Sequence, residues 1–335
     1  MARVTLAADA RQKKTPEVLI HIEHIMKHNT AGDPVNGCLW SRKSTYKIAA
    51  ELRLLQIKVS ASTVRRLLKA NGYSLRKNRK NLETPTGKPP DRESRNRQFL
   101  YIAQQRRRCE AKDIPVISLD TKNRELIGQF YQDGLSWGDE STAVYDHDFP
   151  SVAKGRGIPH GIYDTLRNEG FISVGTSKDT SQFAVDHLRA WWTQHGHDAY
   201  PDAQEVLLLA DCGGSNGYRT RLWKHQLQER FCNPFGLTVR VCHYPPGASK
   251  WNPIEHRLFG FISRNWAAQP LDTYQTMLNF IRGTSTQTGL RVHASLNRKK
   301  YQRGIKISNT QMQQICLKTY TSNPLWNYSI APRKW

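Results

Sequence analysis

From Ile114 onward the chain alternates between two hydrophobic periods, and that alternation limits what it can fold into. Val116 to Leu119 and Leu126 to Tyr131 are apolar runs of strand length flanking Thr121-Lys-Asn-Arg-Glu125, which reads as a hairpin. Gly161-Ile-Tyr163 and Phe171-Ile-Ser-Val174 supply further strand material around the turn Arg167-Asn-Glu-Gly170. A helical stripe then runs from about Ser181 to Gln194, with Phe183, Ala184, Leu188 and Trp191 on one face. Next come a strand from Val206 to Ala210, a helix from about Gly217 to Glu229 and a strand from Leu237 to Cys242. A last helix carries Glu255 and turns Leu258, Phe259, Ile262 and Trp266 inward. Strands first, then alternating helices and strands, predict an α/β domain: a mixed sheet with helices on its faces.

The first third reads differently. Apolar residues at Val18, Leu19, Ile22, Ile25 and Met26 make one helical face, and Ile48, Ala49, Leu52 and Leu55 make another. The segment Gly32-Asp-Pro-Val-Asn-Gly37 between them reads as a loop. After Gln56-Ile-Lys-Val59, Ser60 or Ser62 caps a third helix through Val64, Leu67 and Leu68, which Asn71-Gly72 stops. Two short helices joined by a tight turn, the second carrying Arg65, Arg66 and Lys69, have the form of a helix-turn-helix. A plain helical hairpin with a solvated basic face is the alternative. The expected division is a helix-turn-helix domain over 1–83, a basic linker and helix over 84–112, and a catalytic α/β domain over 113–335.

Charge points to the partner. Fifty Lys and Arg against 28 Asp and Glu leave a formal charge of +22, which attracts polyanions. Between Arg76 and Arg108 eleven Lys and Arg face only Glu83, Asp91 and Glu93, and Thr84-Pro-Thr-Gly-Lys-Pro-Pro90 precludes regular structure. Arg76, Lys77, Arg79 and Lys80 in this tract are candidate phosphate contacts. A run of about 20 apolar residues is absent and the N-terminus has no signal-peptide hydrophobic region, so no membrane is expected. The cytoplasm, on the nucleoid, is the expected location. Six scattered cysteines without a Cys-x-x-Cys pair argue for reduced thiols rather than a thiolate zinc site.

Three carboxylates carry the candidate chemistry. Asp120 follows the run Ile114 to Leu119, Asp211 ends the run Val206 to Ala210, and Glu255 lies just inside a helix after Tyr244-Pro-Pro-Gly247. Cleaving a phosphodiester needs an activated oxygen nucleophile and neutralisation of charge on the phosphoryl group, which two Mg²⁺ ions about 3.5–4 Å apart supply. Mg²⁺ takes oxygen ligands and keeps several waters, so a few carboxylates suffice. Asp120 is the natural bridge, with Asp211 on one metal and Glu255 on the other; Mn²⁺ is expected to substitute. The loop Cys212-Gly-Gly-Ser-Asn-Gly217 frees backbone amides for close approach and for capping the next helix. Trp251 and Asn252 are candidates to stack on or hydrogen-bond a DNA end, with Lys250 and Arg257 on phosphate. Trp251 anchoring its turn in the core is the competing reading. A zinc site from His147, His160 and His243 lacks a helix-borne spacing.

The order of elements also matches the ribonuclease H-like fold, and the motifs have a family likeness. Pro-Pro-Gly-Ala-Ser-Lys-Trp-Asn-Pro-Ile-Glu255 is similar to the third-acid motif of mariner-type and related bacterial insertion-sequence DDE transposases. Val116-Ile-Ser-Leu-Asp120-Thr-Lys, Ala210-Asp211-Cys-Gly-Gly-Ser-Asn216-Gly, Val241-Cys-His-Tyr-Pro-Pro-Gly247 and Trp251-Asn-Pro-Ile-Glu255-His-Arg-Leu-Phe259 resemble the ISAzo-type family. The likeness runs back through Ser62-Thr-Val-Arg-Arg-Leu-Leu68 and on to Trp326-Asn-Tyr328. It implies an enzyme that binds the terminal inverted repeats of a mobile element as a homo-oligomer, cleaves there with Mg²⁺, and joins the freed 3′-hydroxyl to target DNA. Asp120, Asp211 and Glu255 carry over as the metal-binding triad. Two departures stand out: the chain is expected to be short at its N-terminus, and Cys212 replaces an expected glycine. A non-catalytic DNA-binding protein is the alternative reading.

Overall fold

The computed structural model describes residues 15–28, 31–33, 38–40, 44–73, 91–138 and 140–333. The chain divides into two units, Met1–Asn81 and Leu82–Trp335.

In the first unit the three apolar stripes become helices α1 (Thr15–His28), α2 (Thr45–Leu54) and α3 (Ala61–Ala70). Val18, Ile22 and Ile25 of α1 form one core with Ile48, Ala49 and Leu52 of α2 and Val64 and Leu67 of α3. Ser44 and Ser60 cap α2 and α3 by accepting the backbone N–H of Lys47 and Thr63, each at 3.2 Å. Gly72, at φ +79°, takes the left-handed conformation that ends α3. The Gly32 to Gly37 stretch is not simply a loop. Gly32 and Asp33 lie in β1 (Ala31–Asp33), which pairs antiparallel with β2 (Cys38–Trp40), and residues 34–37 are outside the described residues. The tract with Arg76, Lys77, Arg79 and Lys80 also lies outside them.

The first described element of the second unit is a long helix, α4 (Arg92–Glu110), where a basic helix is expected after the linker. One side of it is buried. Gln98 is fully buried and donates from Nε2 to the His243 carbonyl at 2.9 Å and to Asn327 Oδ1 at 2.8 Å. Ile102 and Cys109 pack in the same cluster as Val116, Leu207, Leu209 and Cys242. Arg108 pairs with Glu205 and Arg95 donates to the Pro246 carbonyl, so part of the positive charge is committed within the unit.

The sheet uses β3 (Val116–Thr121), β4 (Glu125–Ile127), β5 (Gly155–Asp164), β6 (Glu169–Gly175), β7 (Glu205–Ala210), β8 (Thr238–His243), β9 (Arg291–Asn297), β10 (Leu317–Thr319) and β11 (Asn327–Ile330). Their order is β10-β11-β8-β7-β3-β5-β6-β9, with β4 beside β5. β3, β7 and β8 run parallel, β5 is antiparallel to β3, and β11 is antiparallel to β8. This is the mixed, ribonuclease H-like sheet with flanking helices that the element order predicts.

One pairing differs from expectation. Residues 116–131 do not make a hairpin, because β3 continues onto β5: Asp120 faces Gly161, and Lys122 N–H still reaches the Pro159 carbonyl at 2.9 Å. β4 instead pairs with the start of β5, Leu126 opposite Arg156. An apolar run announces a strand but not its partner.

Continuous apolar runs follow from burial on both faces. Val206 and Leu208 of β7 join a cluster with Leu188, Trp191 and Trp223, from α5 (Ser181–Trp191) and α6 (Arg221–Leu227). Leu207 and Leu209 point the other way, under α4. The period of two in β3 likewise puts Leu119 in the first cluster and Asp120 on the opposite face. There the helix that starts at Pro253 and continues into α7 (Gly260–Asn265) lays Ile254, Leu258, Phe259 and Ile262 against the sheet. No helix among the described residues is long and apolar enough to cross a membrane.

Candidate active site

Sheet register brings the first two acids together. Leu119 and Ala210 are partners on adjacent parallel strands, so Asp120 and Asp211 leave the same end of β3 and β7 side by side. The third acid arrives on the helix that crosses that face. Pro253 is suited to a first helical position, having no N–H to leave unpaired. The Glu255 N–H donates to the Asn252 carbonyl at 3.1 Å, closing the first turn. Residues Glu255–Phe259 then form a wide, π-helical turn, a geometry that recurs at functional sites.

All three acids are partly buried, and Asp120 lies close enough to Asp211 and Glu255 for both to act on its carboxyl. Burial, the Asp211 charge and Glu255 push the Asp120 carboxyl up to about 8, against the pull of the Thr121 N–H, which reaches Asp120 Oδ1 at 2.7 Å. Burial and the Glu255 charge raise Asp211 to about 6, while the Asn252 amide lowers it.

That arrangement fits a hard divalent cation by its donor chemistry: carboxylate oxygens, desolvated and mutually repelling. Among the described residues no group of three or more His, Cys, Asp or Glu is set out as a coordination shell. The zinc alternative meets side chains already engaged. His243 Nδ1 lies 2.8 Å from the Asp211 carbonyl and its Nε2 lies 3.2 Å from Tyr328 Oη. His160 is buried against His187, Nδ1 to Nδ1 at 2.8 Å.

Asp120 and Asp211 line a cleft of about 780 Å³. The loop Cys212 to Gly217 forms one wall, and Pro245, Pro246 and Gly247 form another. The loop does not cap the next helix as expected; α6 begins only at Arg221, with Thr220 at its N-cap position. Cys212 donates Sγ–H to the Tyr244 carbonyl at 2.9 Å, which ties the loop to that second wall. A fourth carboxylate, Asp179, also lines the cleft, and its buried Oδ1 has no partner among the described residues. Nothing in the sequence singles it out, since it precedes the N-cap Thr180 of α5 without a motif of its own.

The remaining candidates separate by exposure. Trp251 is 57% exposed, set edge-on to Phe99 at 6.1 Å between ring centres, with Lys250 Nζ 5.4 Å from its own ring. Lys250 and Arg257 are exposed on the same turn and helix. Arg65, Arg66 and Lys69 are exposed on α3. Asn252 is the exception: it is fully buried, so it cannot meet a DNA end, and its amide is used inside the site.

Fold and site together define a mixed-sheet α/β protein with two strand-end aspartates and a helix-borne glutamate at one edge of a cleft. Residues 21–332 match the family described as Rhodopirellula transposase DDE domain. The chain belongs to that family, which is one of DDE transposase enzymes. No curated protein matches it. Among solved structures it is similar to the Mos1 mariner paired end complex with Mn, at 15% identity and a TM-score of 0.43, covering 71% of this chain and 65% of that one. It is also similar to the Mos1 Strand Transfer Complex, at 12% identity and a TM-score of 0.43, covering 78% and 68%. The chain thus spans just under two thirds of the first of these. Scores at this level decide nothing about the chemistry.

Proposed function

We propose that this protein is a transposase that binds the terminal inverted repeats of a mobile element and cuts and joins DNA at the Asp120–Asp211–Glu255 site. The observation that carries the reading is the meeting of three partly buried carboxylates, from β3, from the end of β7 and from the crossing helix. Asp120, Asp211 and Glu255 would hold two Mg²⁺ ions, or Mn²⁺ in their place. Bound there, the ions would neutralise phosphoryl charge and activate the attacking oxygen.

The chain's own groups position and exclude. Thr121 N–H and the Asn252 amide hold the two aspartates, while Ile254 and Phe259 keep the glutamate helix pressed on the sheet. The exposed Trp251 offers a stacking face beside Lys250 and Arg257, suited to an unpaired base and its phosphate. In the first unit α2 and α3 serve as the helix-turn-helix, with Arg65, Arg66 and Lys69 on DNA and Arg76, Lys77, Arg79 and Lys80 extending the interface. A charge of +22 supports double-stranded DNA as partner, both element ends and target. Pairing two ends calls for a homo-oligomer on DNA.

The test is a cleavage assay with Mg²⁺ or Mn²⁺ on DNA carrying the sequences that flank the gene, with Asp211→Asn as control. Cuts at defined positions, absent from the variant, support the reading. Binding without cutting by either protein replaces it with a non-catalytic DNA-binding role.

A further inference from the structure

We propose that Asn252 is a positioning residue that sets the Asp211 carboxylate against Asp120 and Glu255, and so governs how tightly the site holds a divalent cation; this rests on the carboxylate reading above. The hydrogen bonds around it run in one direction. The Ile254 N–H donates to Ser118 Oγ at 3.1 Å, and Ser118 Oγ–H donates to Asn252 Oδ1. Asn252 Nδ2 then donates to the Leu119 carbonyl at 3.1 Å and to Asp211 Oδ1 at 3.2 Å. Both amide hydrogens are used, and the Ser118 hydroxyl gives one bond and takes one.

The amide orientation is therefore dictated by its partners. With nitrogen and oxygen exchanged, an oxygen would face both the Leu119 carbonyl and the Asp211 carboxylate, and the Ser118 hydroxyl would face a donor. The same residue closes the first turn of the Glu255 helix through its backbone carbonyl. One residue thus links the strand that carries Asp120, the end of the strand that carries Asp211, and the helix that carries Glu255. It also fixes the Asp211 carboxylate through Oδ1. Complete burial keeps water from replacing any of these bonds.

Groups that orient metal ligands typically alter affinity by about 10–100-fold when removed. The experiment is Mn²⁺ binding to the full chain without DNA, at about pH 8, read from the electron paramagnetic resonance of free Mn²⁺. Wild type is expected to bind, and Asp211→Asn to lose binding. Asn252→Ala and the equally sized Asn252→Asp are both expected to bind at least about 10-fold more weakly. Ser118→Thr, which keeps the hydroxyl, should bind like wild type, and Ser118→Ala should fall between.

A purely structural role would lower the unfolding midpoint of Asn252→Ala and leave the Mn²⁺ affinity of the folded protein unchanged; that result overturns the proposal. If Asn252→Ala fails to fold, Ser118→Ala and Asn252→Asp decide, and wild-type affinity in both overturns it. Equal Mn²⁺ binding by wild type and Asp211→Asn, or none by either, sinks the carboxylate reading and this inference with it. Loss in Asp211→Asn with wild-type affinity in Asn252→Ala sinks the inference alone.

Discussion

Gly161 stands directly opposite Asp120 in the β3–β5 ladder, and the space a side chain would fill there belongs to Ile254 and Phe259. A Cβ at Gly161 would lie 2.6 Å from Phe259 Cε1 and 2.7 Å from Ile254 Cδ1, too close for any packed core. The glycine lets the Glu255 helix settle onto the sheet beside the aspartates. Gly161→Ala should cost about 1–3 kcal/mol through overpacking and lower cleavage far more than DNA binding. Thermal unfolding together with cleavage and binding assays checks this; wild-type cleavage in a folded variant would show that the close approach is not needed.

Asp120→Asn, Asp211→Asn and Glu255→Gln should each drop cleavage below detection while leaving binding to the element ends intact. The two aspartate variants should also be more stable than wild type in EDTA, by on the order of 1 kcal/mol, because each removes a buried carboxyl held away from its ordinary pKa. Melting curves in EDTA check the second half. A fall in stability would contradict the electrostatic account of the site.

The same shifts predict how pH couples to metal. The folded, metal-free chain holds a proton on Asp120 up to about 8 and on Asp211 up to about 6, above the ordinary carboxylate range of the unfolded chain. The folded state therefore binds more protons in this window, and metal-free stability contributed by these acids falls as pH rises through it. A cation must displace those protons, so its binding strengthens as pH rises. The increase in Tm on adding Mg²⁺ should be small near pH 6 and larger near pH 8.5, by about 2–4 °C or more. A constant or shrinking increase would rule this out.

Arg65→Ala with Arg66→Ala should weaken binding to element ends and flatten its salt dependence by about 1 in log–log slope for each phosphate no longer neutralised. Cleavage of DNA already held at saturating concentration should persist. Unchanged affinity and slope would leave α2 and α3 as an ordinary helical hairpin.

Gln98→Ala should destabilise the second unit by about 1–3 kcal/mol, since it strands the His243 carbonyl and Asn327 Oδ1 in a buried setting. Denaturant unfolding of the full chain measures it. A negligible change would mean that water reaches these groups.

Much of this molecule is legible from local pattern. The helices of the first unit, the strands β3, β6, β7 and β8 and the helix of Glu255 lie within a few residues of where period and capping signals place them, because those signals act between near neighbours. Sequence alone also determined the basic character of the protein and which carboxylates stand at the ends of apolar runs. Register, partner and burial were decided only by the tertiary structure. It gave β3 to β5 rather than to Leu126–Ile127, carried the sheet outward through β9, β10 and β11, and buried Gln98 of the basic helix α4 against His243 and Asn327. It added Asp179 to the cleft and turned Asn252 from a surface candidate into a buried strut between Leu119 and Asp211. Each of these depends on the meeting of residues far apart in the chain, and no local propensity encodes which distant backbone or carboxylate a side chain will meet.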